Sequence, residues 1–265
     1  MADTVTTPVI KIGGVEITSV QAKPQRISML LWGPSGCGKT TLACTAPGRK
    51  LLILFDPDGD ASVTGRDDVD VADLTKGGNN VVEQFKSDTN PLGIAKVMSQ
   101  YDTFIFDSLT NAQHMSVMNG VSKLKGATVE KPSMETYQYR NAMITQLVKN
   151  VLMLTAKHGK HVIFVAHEAQ PEKNDQGIVL AITVALGGQL QTSAPVDFSE
   201  VWNMQDTGKT RRIAIRPSRM RAPCKTRMFK TDGAAEFDWN YTGTDIADWF
   251  AAWQAGNYIK LSLPK

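Results

Sequence analysis

Residues 33–40 read GPSGCGKT and stand between a short apolar run, RISMLLW (26–32), and TTLACTA, which opens a helix. The octet meets G-x-x-x-x-G-K-[ST] at every fixed position, and its flanks supply the strand before and the helix after that the motif requires. No other stretch constrains the fold as strongly, because this one sets strand, loop and helix in order. Gly33, Gly36 and Gly38 let the backbone curl so that successive N–H groups face an anion, and the helix N-terminus adds its dipole. Lys39 is expected to reach the β- and γ-phosphates of ATP, and Thr40 to ligate Mg2+. Pro34, Ser35, Cys37 and Thr41 complete the expected nucleotide contacts; Cys37 sits at a variable position and carries no assigned chemistry.

A phosphate site of this kind needs a second element, a hydrophobic strand ending in Asp, and YDTFIFDS supplies it at Asp107. A carboxylate beyond the carboxyl end of such a strand lies beside the loop and holds Mg2+ through water. Ser108 follows, and either belongs to this element or caps the next helix. Hydrolysis also requires a group that polarises water. Ser rather than Glu follows Asp107, so that group comes from elsewhere. Asp56, Asp58 and Asp60 follow KLLILF (50–55); Asp58 is preferred, with an ordinary Asp-Pro-Asp-Gly turn as the alternative. His167 closes HVIFVAH (161–167), where it either senses the γ-phosphate or packs and caps, and Glu168 is a weaker candidate base.

The remaining pattern places these motifs in an α/β fold. RISMLLW, KLLILF, DTFIFDS and HVIFVAH are short, continuously apolar strands separated by helical segments, which is the mark of a parallel sheet covered by helices on both faces. VIKIGGVEIT (9–18) alternates around Gly13-Gly14 as a hairpin, followed by the linker QAKPQ. Residues 56–80 read as loop with a short strand at DVDVADL, and NVVEQFKSDT and GIAKVMSQY as helical turns. GVSKLKGATVEKPS breaks the chain before a long amphipathic helix, Glu135 to Lys157, with Tyr139, Met143, Leu147, Val151 and Leu154 at the helical period. KTRRIAIRP and CKTRMFK read as two antiparallel strands, and DIADWFAAWQAG as a last helix.

Composition excludes several classes. The 265 residues are 42% hydrophobic and 21% charged, ordinary for a globular chain rather than a disordered one. Three cysteines make neither a disulfide framework nor a C-x-x-C metal pattern, so reduced thiols in a cytoplasm are expected. No apolar run reaches the roughly 18 residues of a membrane span. Net charge is only +3, yet nine bases and no acid fall between Lys209 and Lys230. A mildly acidic body thus carries one basic band, suited to the phosphate of a nucleotide or of a nucleic acid, or to solvent.

In order and approximate spacing, GPSGCGKT, FDPD, FIFDS, VAH and CKTR resemble the RecA-like recombinase core. The resemblance implies an α/β fold with a RecA-like P-loop NTPase core, a mainly parallel sheet flanked by helices, and a C-terminal antiparallel hairpin. It divides the chain into an N-terminal hairpin and linker (1–25), a core (26–237) and a C-terminal helix and tail (238–265). Asp58 matches the acidic residue of the RecA D-x-E segment, Asp107-Ser108 the Walker B pair, and His167 the polar sensor ending the fourth strand. Lys225-Thr226-Arg227 is similar to the K-N-K and K-N-R segments whose bases reach a neighbouring subunit's ATP. Here Asp stands for the usual Glu, and His for the usual Gln.

Overall, the chain is similar to phage-encoded nucleotide-binding ATPases that include the Sak four group of single-strand annealing proteins. That similarity implies ATP and Mg2+ as cofactors and hydrolysis of ATP at the interfaces of a ring or filament of copies. It also implies single-stranded DNA as partner, a single-strand DNA-binding protein as a further one, and the cytoplasm of a bacterial host as the setting. DNA would lie along NGVSKLKGATVEKPS, with Lys123, Lys125 and Lys131, and along EAQPEKNDQGIVLAITVALGGQLQTSAP, with Lys173 and Gly187-Gly188. In the strand reading of CKTRMFK, Lys225 and Arg227 share a face, while Arg216, Arg219 and Arg221 sit at a hairpin turn. The alternative function is a P-loop ATP switch acting on a protein partner. A small-molecule kinase would need a lid and an acceptor pocket, and a full AAA+ remodeller a helical lid domain; only about one helix remains after Phe237.

Overall fold

The computed structural model describes residues 11–17, 26–124, 126–230, 234–257 and 259–260. Lys11–Ile12 (β1) and Val15–Glu16 (β2) pair antiparallel across Gly13-Gly14, as the glycine pair implied; the linker QAKPQ lies outside the described residues. Ser28–Gly33 (β3) is buried throughout and leads through the glycine loop into Lys39–Ala43 (α1). The helix ends at Ala43 with Cys44 as its C-cap, and Pro47 a few residues on would bar any long continuation. Lys50–Leu54 (β4) is buried, Val69–Asp73 (β5) lies where a short strand was expected, and the helical turns beyond are 3-10 segments at Asn79–Lys86 and Pro91–Val97.

Thr103–Asp107 (β6) is followed by Leu109–Lys123 (α2), whose N-cap is Ser108, its hydroxyl accepting from the Asn111 N–H at 3.2 Å. The helix continues through Gly120, so the break expected from Gly120 onward begins at Leu124. Met134–Lys157 (α3) is the long amphipathic helix, and His161–His167 (β7) the fourth apolar strand. A small hairpin, Glu172–Lys173 (β8) and Val179–Ala181 (β9), and one helical turn, Leu190–Ser193 (α4), fill the segment read as a loop. Glu200–Asp206 (β10), Arg211–Ala214 (β11), Phe229–Lys230 (β12), Glu236–Trp239 (β13), Asp245–Gln254 (α5) and Ile259–Lys260 (β14) complete the order.

Eight strands form one sheet in the order β13-β11-β10-β3-β7-β6-β4-β5. From β5 to β10 all pairings are parallel; β11 runs antiparallel to both β10 and β13. This is the α/β architecture the sequence implied, a mainly parallel sheet with antiparallel strands at one edge. The pairing at that edge differs from the expected one. KTRRIAIRP does supply β11, but its partners are β10 and β13, and CKTRMFK contributes only a bridge from Lys225 to Val201 and the short β12, which pairs with β14. The missed strand is β10: EVWNMQD interleaves polar and apolar residues, so it lacks the continuous apolar run that marked the other parallel strands.

Pleating divides the core in two. Leu30 and Trp32, Leu51 and Ile53, Phe104 and Phe106, and Val162 and Phe164 face α2 and α3. Met29 and Leu31, Leu52 and Leu54, Ile105, and Ile163 and Val165 face α1 and α5. The C-terminal helix is bound into this second layer through Ile246 and Phe250, and through Thr45: its hydroxyl accepts the Ile246 N–H at 3.0 Å and its carbonyl the Ala247 N–H at 3.1 Å. Cys37, Cys44 and Cys224 are free and buried, and no described helix is long and apolar enough to cross a membrane.

His161, at the start of β7, accepts the Ile27 N–H on Nδ1 at 3.1 Å and meets the Phe250 ring edge-on at 4.7 Å. Burial lowers its pKa from 6.5 to about 4. The folded chain therefore holds it neutral, and its contribution is complete above pH 6.5 and lost as pH falls toward 4, by at most about 1.4 kcal/mol per pH unit. Denaturant titrations at about pH 7.5 and about pH 5 are expected to show lower stability at the acid value. In His161→Asn, which keeps an acceptor but cannot titrate, the difference shrinks; an unchanged difference would remove His161 as its source.

Candidate nucleotide site

The residues that converge beside the glycine loop do so because of the pleat. On β4, β6 and β7 the side chains facing α1 are Leu52 and Leu54, Ile105, and Ile163 and Val165. Two residues further along each strand, at the carboxyl ends, stand Asp56, Asp107 and His167, on that same face. With Lys39, Thr40 and Thr41 they line a cavity of about 390 Å³, whose other walls are Ser35, Gly36, Gly38, Gly59, Ser62 and Arg211. Gly33, which opens the loop, must be glycine: a Cβ there would lie 2.0 Å from the carbonyl oxygen of Met204 in β10.

Lys39 is 5% exposed, and its Nζ donates to the carbonyls of Gly33 at 3.1 Å and Pro34 at 2.5 Å. The ammonium thus rests on the loop's own backbone, inside the cavity. Thr40 Oγ1 donates to Asp107 Oδ2 at 2.5 Å. Burial raises the pKa of the Asp107 carboxyl, opposed by the Thr40 hydrogen bond, while the nearby Asp56 charge raises it further. Two hard oxygen donors side by side suit Mg2+, and among the described residues no cluster of three or more His, Cys, Asp or Glu forms a self-sufficient metal site. A metal here would draw its remaining ligands from phosphate and water. The exposed Pro34 and the buried Cys37 are not among the residues that line the cavity. Cys37 is 1% exposed, and burial raises its thiol pKa.

His167 lines the cavity, and burial, then the Lys39 charge, lowers its pKa, so the ring stays neutral near pH 7. Its N–H donates to Thr110 Oγ1 at 3.0 Å and its carbonyl accepts from Ala185 N at 2.8 Å. Thr110 Oγ1 also donates to the Ala185 carbonyl at 3.3 Å. The strand end is therefore bonded to the segment that carries β8 and β9. Glu168 is not a cavity residue. Its carboxylate accepts from Asn203 Nδ2 at 3.4 Å, and burial raises its pKa.

The structure places Asp56, not Asp58, in the phosphate cavity. Phe55 continues the strand into the α2–α3 layer and Asp56 returns to the α1 face, but Pro57 and a left-handed Asp58 (φ 59) then break the alternation. Asp58 lines a second cavity with Asp60, Asp73 and Lys76 instead. Two-residue parity along KLLILFD was the signal available for Asp56. Arg211 had no such signal, because its position depends on the unrecognised β10.

Lys225 and Arg227 lie away from this cavity. The segment is not a strand: Lys225 bridges Val201 at the amino end of β10, while Gly33 is at the carboxyl end of the parallel β3. Lys225 Nζ donates to the Val196 carbonyl at 2.9 Å. The buried Glu200 carboxylate accepts from Thr226 Oγ1 at 2.6 Å and from Arg227 N at 2.8 Å, which leaves the Arg227 side chain exposed.

The rest of the basic band also divides. Arg212 pairs with Glu236 at 3.0 Å and Asp238 at 2.9 Å, and Arg221 with Glu236 at 3.3 Å, so Arg221 is not free at a turn. Lys209, Arg216 and Arg219 are exposed and form no ion pair among the described residues. In the two segments read as DNA loops, Lys123 belongs to α2 and pairs with Glu83 at 2.5 Å, Lys125 lies outside the described residues, and Lys131 and Lys173 are exposed. Gly187 is pinned by its N–H to Gln113 Oε1 at 2.6 Å.

Asp56→Asn is expected to lower nucleotide hydrolysis about 100-fold or more if its carboxylate serves as the base, with Asp58→Asn remaining within a few-fold of the native rate. Steady-state phosphate release measured on both variants checks this; the reverse ranking would return the role to Asp58.

The family described as AAA domain matches residues 25–233, from just before β3 to a point ahead of α5. No curated protein matches the chain. Similar solved structures include a KaiC-like protein from the hyperthermophilic archaeon Pyrococcus horikoshii, 12% identical with a TM-score of 0.42, covering 82% of this chain and 87% of that one. They also include the RadB recombinase, 11% identical with a TM-score of 0.43, covering 82% and 88%. With the family match spanning most of its length and the phosphate loop, Thr40 and Asp107 assembled in one cavity, the chain belongs to the AAA domain family and is a P-loop ATPase.

Proposed function

We propose that this protein is a Mg2+-dependent ATPase that assembles head to tail with copies of itself, binds single-stranded DNA, and promotes annealing or strand exchange in phage recombination. The observation that carries the DNA part is the charge accounting of residues 209–230. After Arg212 and Arg221 are neutralised by Glu236 and Asp238, Arg211 is taken into the nucleotide cavity and Lys225 is set on the Val196 carbonyl, Lys209, Arg216, Arg219 and Arg227 remain exposed with no ion pair among the described residues. Such cations favour a phosphate backbone, and neither loop segment offers an aromatic platform for stacking bases. The setting of this reading is the cytoplasm of a phage-infected bacterium, with a single-strand DNA-binding protein as a further partner.

In this mechanism Lys39 leaves the carbonyls of Gly33 and Pro34 to bind the β- and γ-phosphates, and the loop N–H groups take phosphate oxygens. Bound Mg2+, held by Thr40 and Asp107, would neutralise charge on the phosphates. Asp56 accepts a proton from the attacking water as its oxygen bonds to the γ-phosphorus and the bond to the ADP oxygen breaks. Neutral His167 lies where it can report the γ-phosphate through Thr110 and Ala185 to the β8–β9 segment. The exposed Arg227, with Lys225, would reach the ATP of the next copy. Such a finger is worth on the order of 10³-fold or more in rate in related NTPases.

Binding of a labelled single strand, followed by fluorescence anisotropy against salt, tests the DNA claim. Affinity should fall log-linearly with salt, and Arg216→Ala/Arg219→Ala should flatten the slope by about 1.4 if each base meets one phosphate. No binding at low salt, with or without ATP, would favour a switch acting on a protein partner. The finger is tested by mixing Arg227→Ala with Lys39→Ala protein: each is expected to be inactive alone, and hybrid interfaces to recover part of the ATPase activity. Absence of recovery at every ratio would place Arg227 outside a neighbour's site.

A further inference from the structure

Arg211 is the one side chain of the basic band that turns into the nucleotide cavity, and its surroundings suit an anion. It begins β11, opposite Asp206 of β10 on one side and Trp239 of β13 on the other. A Cβ built on Gly38 would lie 2.8 Å from Arg211 Nη1, 3.1 Å from Cζ and 3.3 Å from Nε, so the guanidinium lies against the bare α-carbon of the phosphate loop. Its other neighbour is the Trp239 ring, with Cζ 5.9 Å from the ring centroid. The planar group is thus held between the loop and an indole.

What it lacks is an acceptor. Arg212, the next residue, points to the opposite side of the strand and spends its donors on Glu236 and Asp238. The Arg211 guanidinium forms no hydrogen bond and no ion pair among the described residues, although Asp56 and Asp107 line the same cavity. A guanidinium has five N–H donors in a fixed fork that matches phosphate oxygens. Lys39, also in the cavity, is a second cation. Two like charges facing one cavity repel unless an anion joins them, and a polyphosphate supplies that anion.

We propose that Arg211 is a phosphate ligand of the bound nucleotide, contributed by the same subunit as Lys39 and separate from the Lys225–Arg227 segment offered to a neighbour. The proposal rests on the P-loop ATPase reading and adds to it a second cation within the chain. It also gives Gly38 a role: any side chain there would displace the guanidinium from the loop.

Calorimetric titration of ADP and of ATP, each with Mg2+, into native protein, Arg211→Gln, Arg211→Lys and Lys39→Ala is the test. Arg211→Gln should weaken both nucleotides about 10- to 100-fold, the range for losing a charged hydrogen bond, and Arg211→Lys by less because charge is kept. The loss should be independent of protein concentration, since the ligand is not supplied by a neighbour. Native affinity in Arg211→Gln, with binding abolished in Lys39→Ala, would overturn the proposal while leaving the ATPase reading intact. Native protein that binds neither nucleotide would overturn both. Thermal melting checks that each variant is folded; should Arg211→Gln not fold, native affinity in Arg211→Lys together with native affinity in Trp239→Phe would count against the proposal.

Discussion

The hydrogen bond from Thr40 to Asp107 joins two strands that are not neighbours. Thr40 follows β3 through the loop and Asp107 ends β6, and β7 lies between them in the sheet. With strands about 4.8 Å apart, the two side chains must reach toward one another over the end of the middle strand. His167 ends that middle strand, so it stands beneath the bond. Were β3 and β6 adjacent, a polar residue between loop and acid would have no place. The cavity's chemistry is thus a consequence of strand order, and the local motifs work only because β7 is inserted where it is.

This explains which parts of the molecule were legible in the sequence. The phosphate loop, the four buried parallel strands, the long helix and Ser108 as a cap each carry their information within a few residues, in apolar continuity, helical period or capping chemistry. Asp56 was half legible: parity pointed to it, yet Pro57 hides where the strand stops. Arg211 and the pairing of the antiparallel edge were not legible. EVWNMQD is buried on both sides while carrying Glu200 and Asn203, whose polar groups are satisfied by Thr226, Arg227 N and the Trp32 carbonyl. Those partners come from distant parts of the chain, and no local pattern announces them.

The same cause redistributes the basic band. Nine bases in a row of residues look like one surface when read along the chain. Folded into β11 and the segment after it, eight of them separate by side: Arg211 toward the loop, Arg212 and Arg221 toward acids of β13, Lys225 onto a carbonyl, and Arg216, Arg219, Arg227 and Lys209 to water. Net charge over a segment is therefore a poor guide to a binding face once the segment lies beside acidic strands, because a strand alternates its side chains and each side meets a different neighbour.

Thr45 ties the two ends of the ATPase together. A helix normally finds its cap in the residue just before it, but Thr244 provides none for α5; the Ile246 and Ala247 N–H groups are met by Thr45, two hundred residues earlier in the chain. A ten-residue helix is marginal alone. This one is therefore completed only when the turn after the phosphate loop is already in place, and that turn in turn keeps its hydroxyl and carbonyl dry only when the helix arrives. The first and last helices of the layer behave as a single latch, closed by one threonine.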